Sequence, residues 1–283
     1  MKFSVSSYSY GKYQTEEGFE WIINKTAELG FDGIEFTDGM WRDNLDLEIA
    51  KKVKACCDAA GLEVVAYTIG ADFLKNGREA TVEKLKQQVD FAEALGAKMM
   101  RHDTTYGYTF NERKHGIGFD NAIPEMVDGI REVTEYAQSK GIKTMTENHG
   151  HFAQDALRVE KLINAVNHPN FGALVDIGNF MCADEDPTLS VGIMAPYAFH
   201  VHAKDFYWKS GIEIDPGEGW GKTRACNRIR GAIIGHGSAK VYQSIQALKR
   251  VGYDAYLSIE YEGKEDPVEG IRQGLANLKR FAQ

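Results

Sequence analysis

The sequence predicts a closed (β/α)8 barrel, and three observations lead there. Short apolar strand-like runs alternate strictly with longer amphipathic runs along the 283 residues. The same junction recurs between them: a helical run, a glycine, then a strand. Polar side chains able to do chemistry collect after the strands, not before them. Strict alternation implies parallel strands joined by crossover helices. Eight such units fit a barrel, which typically needs ~250 residues. An open doubly wound sheet is the alternative, but no glycine-rich phosphate loop follows the first strand.

The first strand is expected near residues 2–8. It starts directly from Met1-Lys2-Phe3-Ser4, without the apolar core of a signal peptide. A helix near 17–29 ends at Leu29-Gly30, ahead of a strand at 33–37 that carries Ile34-Glu35. A helix near 45–60 ends at Ala60-Gly61 before the strand 63–68. In the helix near 79–95, Val82, Leu85, Val89 and Ala92 recur at helical spacing, and Leu95-Gly96 leads into the strand 98–102. The helix near 119–140 ends at Lys140-Gly141 before the strand 142–147. Helices near 155–166 and 186–195 precede strands at 172–176 and 198–203. The helix near 238–251 ends at Val251-Gly252 before the strand 255–260, and a last helix covers 267–281. A glycine just past a helix end takes the left-handed cap, so each copy reads as helix stop and strand start.

The longest connections, 103–118 and 204–237, follow the fourth and seventh strands and are rich in Gly, Tyr and charge. In a barrel both lie at the C-terminal rim, where ligands bind. Residues 1–283 therefore read as one barrel domain with a long loop after strand seven.

Composition narrows the function. A hydrophobic content of 43% with 11% aromatics supports a large core. The net charge of −8 disfavours nucleic acid, which calls for a basic face. No run approaches the roughly 20 apolar residues of a membrane span. Cys56, Cys57, Cys182 and Cys226 have no framework spacing and read as reduced thiols, so the expected location is cytoplasmic.

The strand ends carry the chemistry. In Ala198–Phe206, alternation puts His200, His202 and Lys204 on one face and Phe199 and Val201 on the other. Strand two ends near Glu35, strand four at Arg101-His102-Asp103 and strand five at Glu147-Asn148-His149. Strand six ends at Asp176-Ile177-Gly178-Asn179 and strand eight at Glu260-Tyr261-Glu262. Glu147, Asp176, His202 and Glu260 would then point inward from four consecutive strands. Three carboxylates around one imidazole repel one another unless a cation sits among them. Such an oxygen-rich set suits one divalent ion, Mn2+ or Mg2+ first, with Co2+ or Zn2+ also admissible.

These segments, with Gly235-His236-Gly237 and the final Gly252-Tyr253-Asp254 to Ile259-Glu260, resemble the xylose-isomerase-like barrels of sugar and sugar-phosphate isomerases and epimerases. The resemblance spans nearly the whole chain. It implies that the metal is held by Glu147, Asp176, His202 and Glu260. Two positions depart from the ketose 3-epimerase pattern: Asn179 stands where those enzymes have histidine, and Trp208 where they have arginine. DNA-repair endonucleases share the fold but use three zinc ions and further histidines, one of which Asn179 replaces.

The expected reaction is isomerisation or epimerisation of a small sugar or sugar derivative. A proton is removed next to a metal-bound carbonyl through an enediolate, with Glu147 and Glu260 as the two bases. The alternative is a lyase that removes water from a keto-sugar or inosose on the same site, with His102, His149 or His236 as acid. A barrel retained only to bind sugar is a third reading. His102, His149, Lys204, Glu35 and Asn179 are the expected substrate contacts. His200 lies deeper and reads as a satisfied core histidine or a supporting imidazole, not a ligand. Lys204 would neutralise the acids, stabilise an enediolate, or pair with Asp205 or a rim acid, and Glu35 would touch substrate or orient Lys204. Among Trp208, Lys209, Trp220, Lys222, Arg224, Arg228 and Arg230 the clustered cations suit phosphate or carboxylate, against the simpler expectation of solvated charges. His115 and His168 read as surface residues. Such barrels often associate through rim loops, so a homo-oligomer is an open expectation.

Overall fold

The computed structural model of the chain describes residues 1–41, 45–108 and 117–283. Its first half runs β1 (Lys2–Ser6), α1 (Tyr13–Glu16), α2 (Gly18–Glu28), β2 (Gly33–Thr37), α3 (Leu47–Ala60), β3 (Glu63–Ile69), α4 (Phe73–Asn76), α5 (Arg78–Leu95) and β4 (Met99–His102). It continues through α6 (Phe119–Ser139), β5 (Lys143–Glu147), α7 (Ala156–Val166), β6 (Phe171–Asp176), α8 (Asn179–Cys182), α9 (Pro187–Met194) and β7 (Ala198–Ala203). The last part holds β8 (Asp205–Lys209), β9 (Gly221–Lys222), β10 (Arg228–Ala232), α10 (Val241–Arg250), β11 (Tyr256–Ile259) and α11 (Pro267–Phe281). The expected (β/α)8 barrel is present: eight parallel strands close in the order β1-β11-β7-β6-β5-β4-β3-β2.

Local chemistry sets the element ends. Gly61 and Gly96 close α3 and α5 at φ 72° and 76°, a conformation that costs a side chain dearly. Asp186 and Asp266 cap α9 and α11, accepting from the first backbone N–H groups, each followed by proline at the first helical position.

Two apolar regions result. The larger lies between strands and helices and takes Ile34, Phe36, Met100 and Val201. The smaller comprises Ala66, Met145 and Leu174, with Met99 and Phe199 against them. Alternation puts these on the inner faces of their strands, below Arg101, Glu147 and Asp176. Phe199 departs from the expected outward face. The β6–β7 register steps from Ala173↔Ala198 to Leu174↔His200, leaving Phe199 as the extra residue. Its ring covers Gly172, where a Cβ would lie 2.8 Å away.

The segment after β7 also differs from an irregular loop, because β8, β10 and β9 form a separate antiparallel sheet. Two-residue β9 and the glycines around it carry no alternation that would announce a strand. Asp205 does not pair with Lys204. Its carboxylate accepts from the backbone N–H groups of Gly235, Gly237 and Ala239 and ties down the turn after β10. All four cysteines are free, and His115 lies outside the described residues. Among the described residues no helix is long and apolar enough to cross a membrane.

Candidate metal centre and active site

Glu147 and Asp176 end β5 and β6, His202 is the next-to-last residue of β7, and Glu260 directly follows β11. Parallel strands and alternation bring these four inner side chains to one level, where a ligand atom from each lies within 4.8 Å of the others. His202 Nδ1 is 3.8 Å from Glu147, 3.6 Å from Asp176 and 3.3 Å from Glu260. All four residues are buried.

Their hydrogen bonding is divided in a way that suits a metal. Glu147 Oε1 accepts from Asn179 Nδ2 at 3.0 Å, and Asp176 Oδ1 accepts from the Asn179 backbone N–H at 2.9 Å. His202 Nε2 meets the Glu35 carboxylate at 2.9 Å. The other atom in each case, Glu147 Oε2, Asp176 Oδ2 and His202 Nδ1, has no hydrogen-bond partner, and neither does Glu260 Oε2. Buried polar atoms rarely go unpaired. In Glu147, Asp176 and His202, one atom tethered by a hydrogen bond and one atom without one is the arrangement of an oriented ligand. Arg101 Nε is 2.8 Å from Glu147 Oε2 and Lys204 Nζ is 2.5 Å from Glu260 Oε2, but both are charge contacts without hydrogen-bond alignment.

The electrostatics agree. Five carboxylates are buried here, Glu35, Asp103, Glu147, Asp176 and Glu260, against the permanent cations Arg101 and Lys204. Even with His202 protonated the layer keeps net negative charge, which a divalent cation neutralises. Burial raises the Glu147 carboxyl, and the opposing pull of Arg101 does not cancel the rise. For Glu260 burial acts the same way but is overcome by Lys204 and His202, so its carboxyl lies well below the ordinary range. Burial would lower the Lys204 ammonium, yet Asp176, Glu260 and Glu262 hold it well above its usual value. His202 is likewise pushed up against burial by Glu35 and Glu260.

The other expected contacts separate. Lys204 and Asn179 stand beside the cluster, 3.2 Å apart, and Lys204 also reaches Glu262 at 3.2 Å. His149 is at the rim, 41% exposed, with Nδ1 donating to Asp103 at 3.1 Å. Burial works against its protonation, but Asp103 raises it overall. Two expectations fail. Glu35 is fully buried and spends both oxygens on His200 and His202, so it neither faces substrate nor orients Lys204. His200, fully buried, meets the Glu35 carboxylate through Nε2 at 2.9 Å.

His102 is the second correction. Its neighbour Arg101 takes the inner face of β4, so His102 points outward between Phe73 and Phe171, with Nδ1 donating to the Asp103 carbonyl at 3.0 Å. Burial drives it to about 4, and it stays neutral. His236 is exposed on the turn after β10 and does not line the cavity. Arg101, whose inward position follows from lying two residues after Met99, was the residue to single out on strand four.

Above the cluster is a cavity of about 440 Å³, lined by Tyr106, His149, Gln154, Asn179, Lys204 and Glu262 from the barrel and by Arg230 from the antiparallel sheet. None of the four clustered residues lines it, but Asn179 and Lys204, which contact them, do, whereas larger clefts of about 910 and 720 Å³ are lined by neither. Size is a weaker guide here than contact with the buried charges.

A closed parallel barrel with convergent acids and a histidine at the carboxyl ends of its strands defines a (β/α)8 barrel with a candidate metal centre there. Residues 23–281 match the family described as xylose isomerase-like TIM barrel, and the chain belongs to that family. A curated relative, an inosose dehydratase of Bacillus thuringiensis (strain Al Hakam), is 24% identical over 205 residues, 67% of this chain and 64% of that protein. The chain thus spans slightly under two thirds of the length of the curated relatives it matches. A D-psicose 3-epimerase from Clostridium cellulolyticum H10 superposes with a TM-score of 0.78 at 14% identity, covering 100% of both chains. A probable 3-DHS dehydratase, AsbF, from Bacillus anthracis gives 0.74 at 20% identity, covering 98% of this chain and 99% of that one. At these identities the two structures speak to the fold alone.

Proposed function

We propose that this protein is a divalent-metal-dependent isomerase or epimerase of a small sugar or sugar derivative, acting by proton abstraction beside a carbonyl. The observation that carries it is the convergence of buried ligand atoms without hydrogen-bond partners on Glu147, Asp176, His202 and Glu260. These four would hold one ion; the oxygen-rich set favours Mn2+ or Mg2+, with Co2+ or Zn2+ admissible. Such an ion, when bound, supplies Lewis acidity that acidifies the carbon next to a carbonyl.

The protein side of the chemistry follows from position. Barrel order separates β5 from β11 by two strands, so Glu147 and Glu260 approach a substrate from opposite sides. One removes the proton and the other returns it, as inversion at carbon requires. Asn179 fixes Glu147 through Oε1, and Glu35 fixes the ring of His202. Lys204, kept protonated by its acids, offers a donor to an oxygen that gains charge.

One observation favours a second reading, the dehydratase. His149 sits at the cavity with its protonation favoured by Asp103, as an acid for a leaving hydroxyl would need. The inosose dehydratase relative of Bacillus thuringiensis points the same way.

The test is solvent exchange in D2O with the Mn2+- or Mg2+-loaded protein and a panel of ketoses, keto-inositols and sugar phosphates, followed by NMR. Deuterium at carbon without loss of water supports the isomerase or epimerase. Loss of water supports the dehydratase. No exchange on any substrate with either metal rejects both and leaves a sugar-binding barrel.

A further inference from the structure

Three arginines lie on the segment between β7 and α10, and two of them have acidic partners. Arg224 pairs with Asp155, and Arg228 with Asp215 at 2.6 Å. Arg230 differs. Among the described residues no carboxylate lies within ion-pair distance of it, and its side chain makes no hydrogen bond. Its Nε–H is buried without an acceptor.

The side chain is nevertheless held in place. The guanidinium lies over Tyr207 at 5.0 Å and over Trp220 at 5.3 Å, contacts that position a cation while leaving its donors unspent. It lines the same cavity as Lys204 and His149. The neighbouring Gly231 packs on the chain after β11 so closely that a Cβ there would fall 2.2 Å from the Glu262 carbonyl. That contact brings Arg230 to the cavity wall. The acids of this adjoining stretch take their hydrogen bonds and ion pairs elsewhere, Glu262 with Lys204 at 3.2 Å and Glu265 with the Tyr261 hydroxyl at 2.6 Å, while Arg230 acts on Glu265 only by charge from beyond ion-pair distance. A charged fork aligned by two rings, with a buried unpaired Nε–H and only a longer-range attraction to Glu265 in place of an ion pair, is left open to an anionic ligand.

We propose that Arg230 anchors an anionic oxyacid group, carboxylate or phosphate, carried by the substrate at the rim end of the cavity. The substrate class is then a keto-sugar acid or a sugar phosphate, not a neutral ketose. This rests on the reading of the cavity as the substrate site.

The test is calorimetric binding to the full-length, Mn2+-loaded protein of three probes: D-fructose, D-fructose 6-phosphate and 5-keto-D-gluconate. At least one charged probe should bind tighter than D-fructose, by on the order of tenfold to a hundredfold. The probe showing that margin identifies phosphate or carboxylate as the group recognised. Arg230→Gln should abolish the margin, and Arg230→Lys should keep part of it, since the charge remains and the fork is lost. Arg228→Gln, which alters a paired arginine, should leave the margin intact. No margin in the wild type, no binding of either charged probe, or a margin that survives Arg230→Gln overturns the proposal. Failure of deuterium exchange with the margin intact would reject the catalytic reading and leave the anchor standing. Exchange on neutral ketoses with no margin would do the reverse.

Discussion

The inside of the barrel holds two adjacent layers that could hardly differ more. Met99, Met145 and Leu174 form part of an apolar plug. Two residues further along the same strands stand Arg101, Glu147 and Asp176. Backbone, pairing and direction are shared, and only the inner side chain changes. The plug keeps water from reaching the charged layer from below, which is why burial is the largest influence on Glu147, Glu260, His202 and Lys204. Inside the barrel the lower layer is apolar packing and the upper layer holds the charged groups, as (β/α)8 barrels allow.

Breaking the upper layer should give the largest effect. Glu147→Gln and Glu260→Gln should each lower kcat about a thousandfold on the substrate that shows exchange, while the melting temperature moves by only a few degrees. Full turnover in both variants would remove the two-base mechanism. Breaking the lower layer should do the opposite. Leu174→Ala should cost about 2–5 kcal/mol in chemical denaturation and leave metal stoichiometry unchanged.

Strand β4 sharpens the contrast on its two faces, with charged Arg101 inside and neutral His102 outside. The folded His102 lies at about 4 against an ordinary 6.5, so between these values the unfolded chain binds the extra proton. Its contribution is complete above pH 6.5 and is lost as pH falls towards 4, a span worth about 3 kcal/mol. Denaturation midpoints measured from pH 7 to 4 should show this loss, and His102→Phe should flatten it. The smallest effect is expected beneath the ligands. Glu35→Gln should weaken Mn2+ binding about 10- to 100-fold by releasing the His202 ring, as read by metal titration.

Much of this was legible in the sequence because the signals are local. Glycine stops such as Leu95-Gly96 announce each new strand, and the polar ends Glu147, Asp176, His202 and Glu260 need only alternation to converge. What depended on distant partners was not legible. Glu35 lies 165 residues from His200 and 167 from His202, and nothing near it in sequence reveals that pairing. His102 and Arg101 are adjacent, so one residue of register decides which faces the site. Phe199 was turned inward by a bulge that depends on β6. The antiparallel sheet was hidden by glycines and by a two-residue strand, and with it the placement of Arg230.

Metal titration of the chelator-treated protein, with Mn2+ followed by electron paramagnetic resonance, tests most directly whether four strand ends form one metal centre. The wild type should bind one ion per chain, and Asp176→Asn and His202→Asn should each weaken that site at least 100-fold while the fold survives. Binding of equal strength in wild type and both variants would contradict the account.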